Sequence, residues 1–321
     1  MGKTWGLLCF LFIMLSSNVS AIEPVLKLKA SGDVMDMVKE GGYLYAATDA
    51  GIVDVFDIPT GKLVKKITVP GMKDFMGDDM ASKVYSVDKL AESKDVLLVC
   101  QGEAGFRNVY IYNTSLDKVI DAAKDKMMVR EARFVNPGLV LLGLTSDELI
   151  LFDLKKGSVV YRKQISHYTF DDMVLNEDRS KVLTSDESGV IQMFNVGDGA
   201  LVKTYKGSNV DNVFQIDYKN KIVIGGGQDR RLAIYDDNLH NQYYIQGDFL
   251  IYSVGLSPSG KTGAYAANED NDVVVFDVAT QEVLYILKGQ VSTLTKILFY
   301  SEKELITSCE SDGILFWKLN D

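Results

Sequence analysis

Histidine is almost missing from this chain: His167 and His240 are the only two in 321 residues. A catalytic metal centre wants three convergent His, Cys or carboxylate ligands, and two distant histidines do not begin one. Haem held by paired histidines is excluded on the same count. Cysteine is nearly as scarce, with Cys9, Cys100 and Cys309 alone. Arginine numbers seven in a chain of net charge −10, which argues against nucleic acid and against an anionic membrane surface as partners. No stretch beyond the N-terminus reaches the ~18 apolar residues of a membrane-spanning helix. G-x-S-x-G elbows and phosphate-cradling Gly-Lys-Ser/Thr loops are also lacking. These absences predict a protein that is not an enzyme, with no catalytic residue, resident metal or cofactor.

The first 21 residues read as a cleaved signal peptide. Lys3 supplies a basic start, Trp5 to Leu15 an apolar stretch, and Val19-Ser20-Ala21 a small-residue cleavage site. Cys9 lies inside the apolar stretch, so no lipid-attachment signal is expected. The mature chain would begin at Ile22, carry one Lys fewer, and not insert in a membrane. A chain with so few cysteines fits a bacterial periplasm better than a eukaryotic extracellular space. Residues 22–321 are expected to form a single domain.

What the sequence does have is a repeat. An apolar run ending in an aromatic, usually followed by Asp or Asn, recurs as IVDVFD (52–57), VYIYN (109–113), LILFD (149–153), IQMFN (191–195), LAIYD (232–236) and VVVFD (273–277). A seventh run, ILFW, covers 314–317. Taking Phe56, Tyr112, Phe152, Phe194, Tyr235, Phe276 and Phe316 as markers, the separations are 56, 40, 42, 41, 41 and 40 residues. A period near 41 built from short strands is the signature of a β-propeller.

Within a repeat, residues 250–289 show the grammar: Leu250 to Leu256, the turn Ser257-Pro258-Ser259-Gly260, Thr262 to Ala267, a polar turn, Val273 to Phe276, then Glu282 to Leu287. The predicted fold is all-β, a seven-bladed propeller of four-stranded antiparallel blades. The last repeat ends after three strands, so Pro24 to Lys29 is predicted to supply the fourth and close the ring. Turn carboxylates before the third strands (Asp49, Asp147, Asp186, Asp229, Asp270, Asp312) are read as backbone ties. Gly225-Gly226-Gly227 is read as a tight strand exit. Cys100 and Cys309 fall in separate blades, too far apart for a disulfide, and are read as buried thiols.

Spacing, meander, turn aspartates and closing strand resemble WD-repeat propellers over the whole mature length. The Gly-His pair of that family is absent, and Phe-Asp, Tyr-Asn or Tyr-Asp replaces Trp-Asp. In size and degeneracy the repeats are also similar to NapL-type accessory proteins of periplasmic nitrate reductase. That resemblance implies a periplasmic, non-enzymatic protein whose protein partner is the reductase. A general envelope scaffold and a small-ligand-binding or hydrolytic propeller remain as alternatives. A monomer is expected.

Two features depart from regularity. The excess between Phe56 and Tyr112 falls in Pro70 to Ser82 and Gly102 to Asn108, beside one blade. Long loops on rigid scaffolds commonly carry function. Met72, Phe75, Met76, Met80, Phe106 and Arg107 are therefore candidates for partner contact. The alternatives are a loop tucked on its blade or a thioether copper site. The second feature is a register of first-strand residues next to the channel: Asp36, Ser86, Glu131, Asp172, Gln215, Ser253 and Lys296. Just before them come Met35, Tyr85, Arg130, Asp171, Phe214, Tyr252 and Thr295. Tyr85, Arg130, Asp171, Phe214 and Tyr252 are the channel-face candidates, either for a polar ligand or as solvated wall.

Overall fold

Apolar β-branched and aromatic runs of five to seven residues, punctuated by Gly, Asn and Asp turns, give strands too short to stand alone. They pair into seven four-stranded antiparallel blades, in sequence order except in blade seven, whose outer strand comes from the N-terminal segment. The computed structural model describes residues 21–91 and 93–320, so all but the last residue of the expected signal peptide lies outside the described residues. Blade one comprises Val34–Glu40, Tyr43–Thr48, Ile52–Asp57 and Lys62–Thr68. The innermost strands of blades two to seven are Val84–Lys89, Val129–Asn136, Phe170–Leu175, Val213–Lys219, Val254–Leu256 and Leu294–Phe299. In blade six the ladder starts at Val254, so the strand expected from Leu250 is shorter than predicted.

Blade seven closes as expected. Leu26–Lys29 pairs antiparallel with Gly313–Lys318, matching Leu26 to Phe316 and Lys29 to Gly313. Ala21–Ile22 adds a short parallel pairing along the outer strand of blade six, at Ile286 and Leu287. The N-terminal segment thus lies across the seam between blades six and seven.

The buried apolar side chains form seven clusters among the described residues, one in each seam between neighbouring blades. Cys100 and Cys309 are buried free thiols, Cys100 in the seam between blades one and two. The repeat aromatics face the seam with the preceding blade. Phe152 packs between blades two and three, Phe194 between three and four, and Phe276 between five and six. In blade seven that place is taken by Trp317, not Phe316, which faces blade one instead. Adjacent strand residues point to opposite faces, so the marker sits one position later than predicted. Trp317 Nε1 donates to Thr307 Oγ1 at 2.8 Å, and Gln290 approaches the same hydroxyl.

The turn carboxylates divide. Asp49 accepts from Asp33 N, Asp186 from Ser188 N and Ser166 Oγ, and Asp229 from Val210 N and Arg231 N. Asp147 has no hydrogen-bond partner for either carboxylate oxygen. The glycine run forms the last three positions of the strand Ile222–Gly227, at its exit as expected. A Cβ on Gly226 would stand 2.4 Å from Ile251, and one on Gly227 2.2 Å from the Asn212 carbonyl, so close blade packing requires glycine there.

Candidate functional site

Each innermost strand except that of blade six carries a β-bulge near its start, and that of blade three has a second register shift between Phe134 and Asn136. The extra, unpaired residue is Met35, Tyr85, Arg130, Asp171, Phe214 or Thr295. In a regular strand the residue after each would face the opposite way. The bulge re-aims the backbone, so both residues of each pair line one cavity at the channel mouth. All five channel-face candidates (Tyr85, Arg130, Asp171, Phe214 and Tyr252) are brought together there. The cavity measures about 540 Å³. A smaller one of about 210 Å³ opens on the far side, and Arg133, Gln215 and Lys296 line both, forming the partition between them.

The partition is built from ion pairs. Arg133 meets Asp36 at 3.2 Å and also pairs with Glu131, while Lys296 stands 3.7 Å from Asp36. Burial opposes the charge on Asp36, but Arg133 and Lys296 outweigh it and hold its carboxyl below the usual range. Burial pushes Glu131 up to about 8 and raises Asp172 as well.

These polar groups also stitch the blades. Asp36 accepts the backbone N–H of Val87, Glu131 that of Met173, Asp172 that of Ile216, and Gln215 that of Val254, each from the next blade. Distances run from 2.9 to 3.1 Å. Asp88 and Asp217 repeat the device one turn deeper, on Phe134 and Leu256. The aligned acids are therefore first of all ties between blades.

At the mouth, Arg130 donates twice to Asp171, to its carbonyl and to Oδ1 at 3.0 Å. Burial pushes Asp171 up to about 7, with Arg130 opposing. Phe214 and Tyr252 stack at 5.0 Å with planes 10° apart. Arg107 was expected in a partner-contact loop. It instead belongs to the strand Arg107–Tyr112 and lies over the Tyr85 ring at 3.8 Å, inside the channel mouth.

The first long loop folds into a hairpin, Met72–Lys73 against Asp79–Met80. The spacing of Met72, Met76 and Met80 is thereby explained: two are cross-strand partners, and Met76 sits at the tip. Met35 and Met127, near them in sequence, go to the channel mouth and to a seam. Asp74 Oδ1 accepts from Met76 N and Asp78 N, and Lys73 pairs with Asp79 at 2.7 Å, so the tip is braced. Phe75 is 96% exposed and Met76 72%. Beside the hairpin stands the turn Glu103–Gly105, and Met72, Phe75, Met80 and Ala104 line a cleft of about 460 Å³ between them. Phe106 and Met72 line a second cleft with Tyr110 and Lys118. Hairpin, turn and channel mouth share the side on which the chain enters each innermost strand. His167 is exposed on that side, whereas His240 lies in a turn on the other.

The bulges, the Arg107–Tyr85 stack and the Glu310 contribution to the mouth escaped the sequence reading. Thr295 did not, because the repeat alignment places it in register.

No family model matches this chain. Seventy residues are 33% identical to pre-mRNA-processing factor 19 of Mus musculus and of Rattus norvegicus, and 31% identical to that of Bos taurus. The match covers 22% of this chain and spans only 14% of the length of those relatives. It is consistent with WD-like repeats. The geometry shows a seven-bladed propeller, a fold consistent with a protein-interaction scaffold.

Proposed function

We propose that this chain is a non-enzymatic, exported protein-binding propeller whose partner docks on the hairpin side, at blade two. One observation carries the reading: a braced hairpin holds Phe75 and Met76 almost wholly in solvent, outside an otherwise regular array. Exposed apolar side chains on a preorganised loop, flanked by an apolar cleft, suit an interface anchor. The most specific form of the proposal is an accessory factor of periplasmic nitrate reductase, and that link rests on the resemblance in size and repeat character alone.

Central apolar anchors commonly contribute about 2 kcal/mol or more each. Replacing Phe75 and Met76 by Ser is expected to weaken association with the reductase at least about tenfold, or about 1.4 kcal/mol. Both lie outside the blade strands, so melting should not change. Pull-down from a nitrate-respiring periplasm reads the result. Equal recovery of reductase by both proteins would move the contact elsewhere, and no recovery by the wild type would remove the nitrate link. N-terminal sequencing of the exported protein should begin at Ile22.

A further inference from the structure

We propose that the cup at the channel mouth is a binding site for a small organic anion with a flat aromatic body, an aryl carboxylate. The inference is independent of the docking reading and concerns different side chains.

The floor of the cup comes first. Arg133, Gln215 and Lys296 stand between this cup of about 540 Å³ and the cavity beneath, and the charges of Arg133 and Lys296 are spent on Asp36 and Glu131. That volume lies within the usual size of small-ligand pockets.

The wall of blades two and three is cationic. Arg130 is committed to Asp171. Arg107 is not committed to any acid: among the described residues it has no ion pair, and its one hydrogen bond goes from Nη1 to the Arg130 carbonyl at 3.1 Å. The Tyr85 ring packs against it, its centroid 3.8 Å from the guanidinium carbon. Burial and the neighbouring Arg130 both disfavour its charge, and an arriving anion would relieve both. A guanidinium held against that ring, with Nε and Nη2 unengaged among the described residues, offers the fork that recognises a carboxylate by two parallel hydrogen bonds.

The wall across the ring is aromatic. In a seven-membered ring, blades five and six stand opposite blade two, and they contribute the stacked pair Phe214 and Tyr252. Phe249 braces Tyr252 at 6.3 Å. An anion on Arg107 thus directs the rest of its molecule toward a π surface. A ring there gains offset or edge contacts that a saturated group does not.

The test is titration calorimetry of the purified protein with benzoate, indole-3-acetate, cyclohexanecarboxylate and benzylamine. The aryl carboxylates should bind with Kd below about 1 mM, and benzylamine at least about tenfold more weakly. Arg107→Gln should weaken benzoate and indole-3-acetate at least about tenfold, with Arg107→Lys intermediate because it keeps charge without the fork. Phe214→Leu should abolish the preference for benzoate over cyclohexanecarboxylate while retaining binding. Melting curves of each variant confirm folding, and the Lys and Leu variants keep the test decisive if Gln does not fold. Benzylamine binding as tightly as benzoate, no probe binding below about 1 mM, or unchanged affinity in both Arg107 variants would each overturn the proposal.

Discussion

Asp147 is the residue whose surroundings least match its chemistry. It sits in the turn before the third strand of blade three, in a left-handed conformation with φ of 58° and fully buried. Neither carboxylate oxygen has a hydrogen-bond partner, and Asp186 nearby spends its own on Ser166 and Ser188. Burial pushes Asp147 up to about 6. An acid whose folded-state pKa is raised stabilises the fold fully at pH below its ordinary range. That contribution is lost as pH rises through about 6. Asp147→Asn keeps a side chain that tolerates positive φ and removes the ionisation. It should melt higher than the native protein above about pH 7, with the gap closing toward about pH 4. A gap that does not vary with pH would refute this. The sequence reading grouped Asp147 with the tying carboxylates because the turn pattern is the same. Whether a donor reaches it depends on where the neighbouring blade's loop runs, which no local pattern records. The Phe316 and Trp317 displacement has the same origin, since two adjacent aromatics give no sign of which faces which seam.

At the scale of the strand, the bulge is the informative device. The repeat spacing aligned Asp171 with Tyr85 and Asp172 with Ser86, so the columns were legible. Both columns were placed at the channel by that alignment, but the extra residue that lets adjacent positions face the same way left no local signal. With the bulge in place, Asp36, Glu131, Asp172 and Gln215, the second residues of four pairs, accept from the next blade's backbone. Asp172→Ala should therefore leave the buried Ile216 N–H without its acceptor and cost about 1–3 kcal/mol. Asp172→Asn retains a carbonyl at that point and should recover most of it. Denaturant midpoints measure both, and an Asn variant as unstable as Ala would show that the stitch contributes nothing.

For the molecule as a whole, stability is distributed over seven seams rather than gathered in one core. A ring of this kind is only as secure as its weakest junction. The closing strand contributes Leu26 and Leu28, as well as the ladder to Gly313–Lys318. Deleting residues 22–30 should lower the melting temperature by at least about 10 °C, equivalent to roughly 2.5–5 kcal/mol for a chain of this size. An unchanged melting temperature would contradict a closed ring. Closure was legible because the last repeat lacked a strand and PVLKLK had no other partner. The pairing of Ala21–Ile22 along blade six was not, since two residues carry no periodicity.

The latch also sets an order of events. Leu26 finds its partner at Phe316, at almost the full reach of the chain, so this contact carries the largest loop-closure cost of the molecule. Sequential blades can assemble from near neighbours as synthesis proceeds, but the seventh waits for the last strand to emerge. Until then the segment around Leu28 remains a loose sticky end, and the open ring shows two unfinished edges. Ring closure should be the slow final phase of refolding, and release of that segment the first step of opening, so the lifetime of the native ring is decided at blade seven.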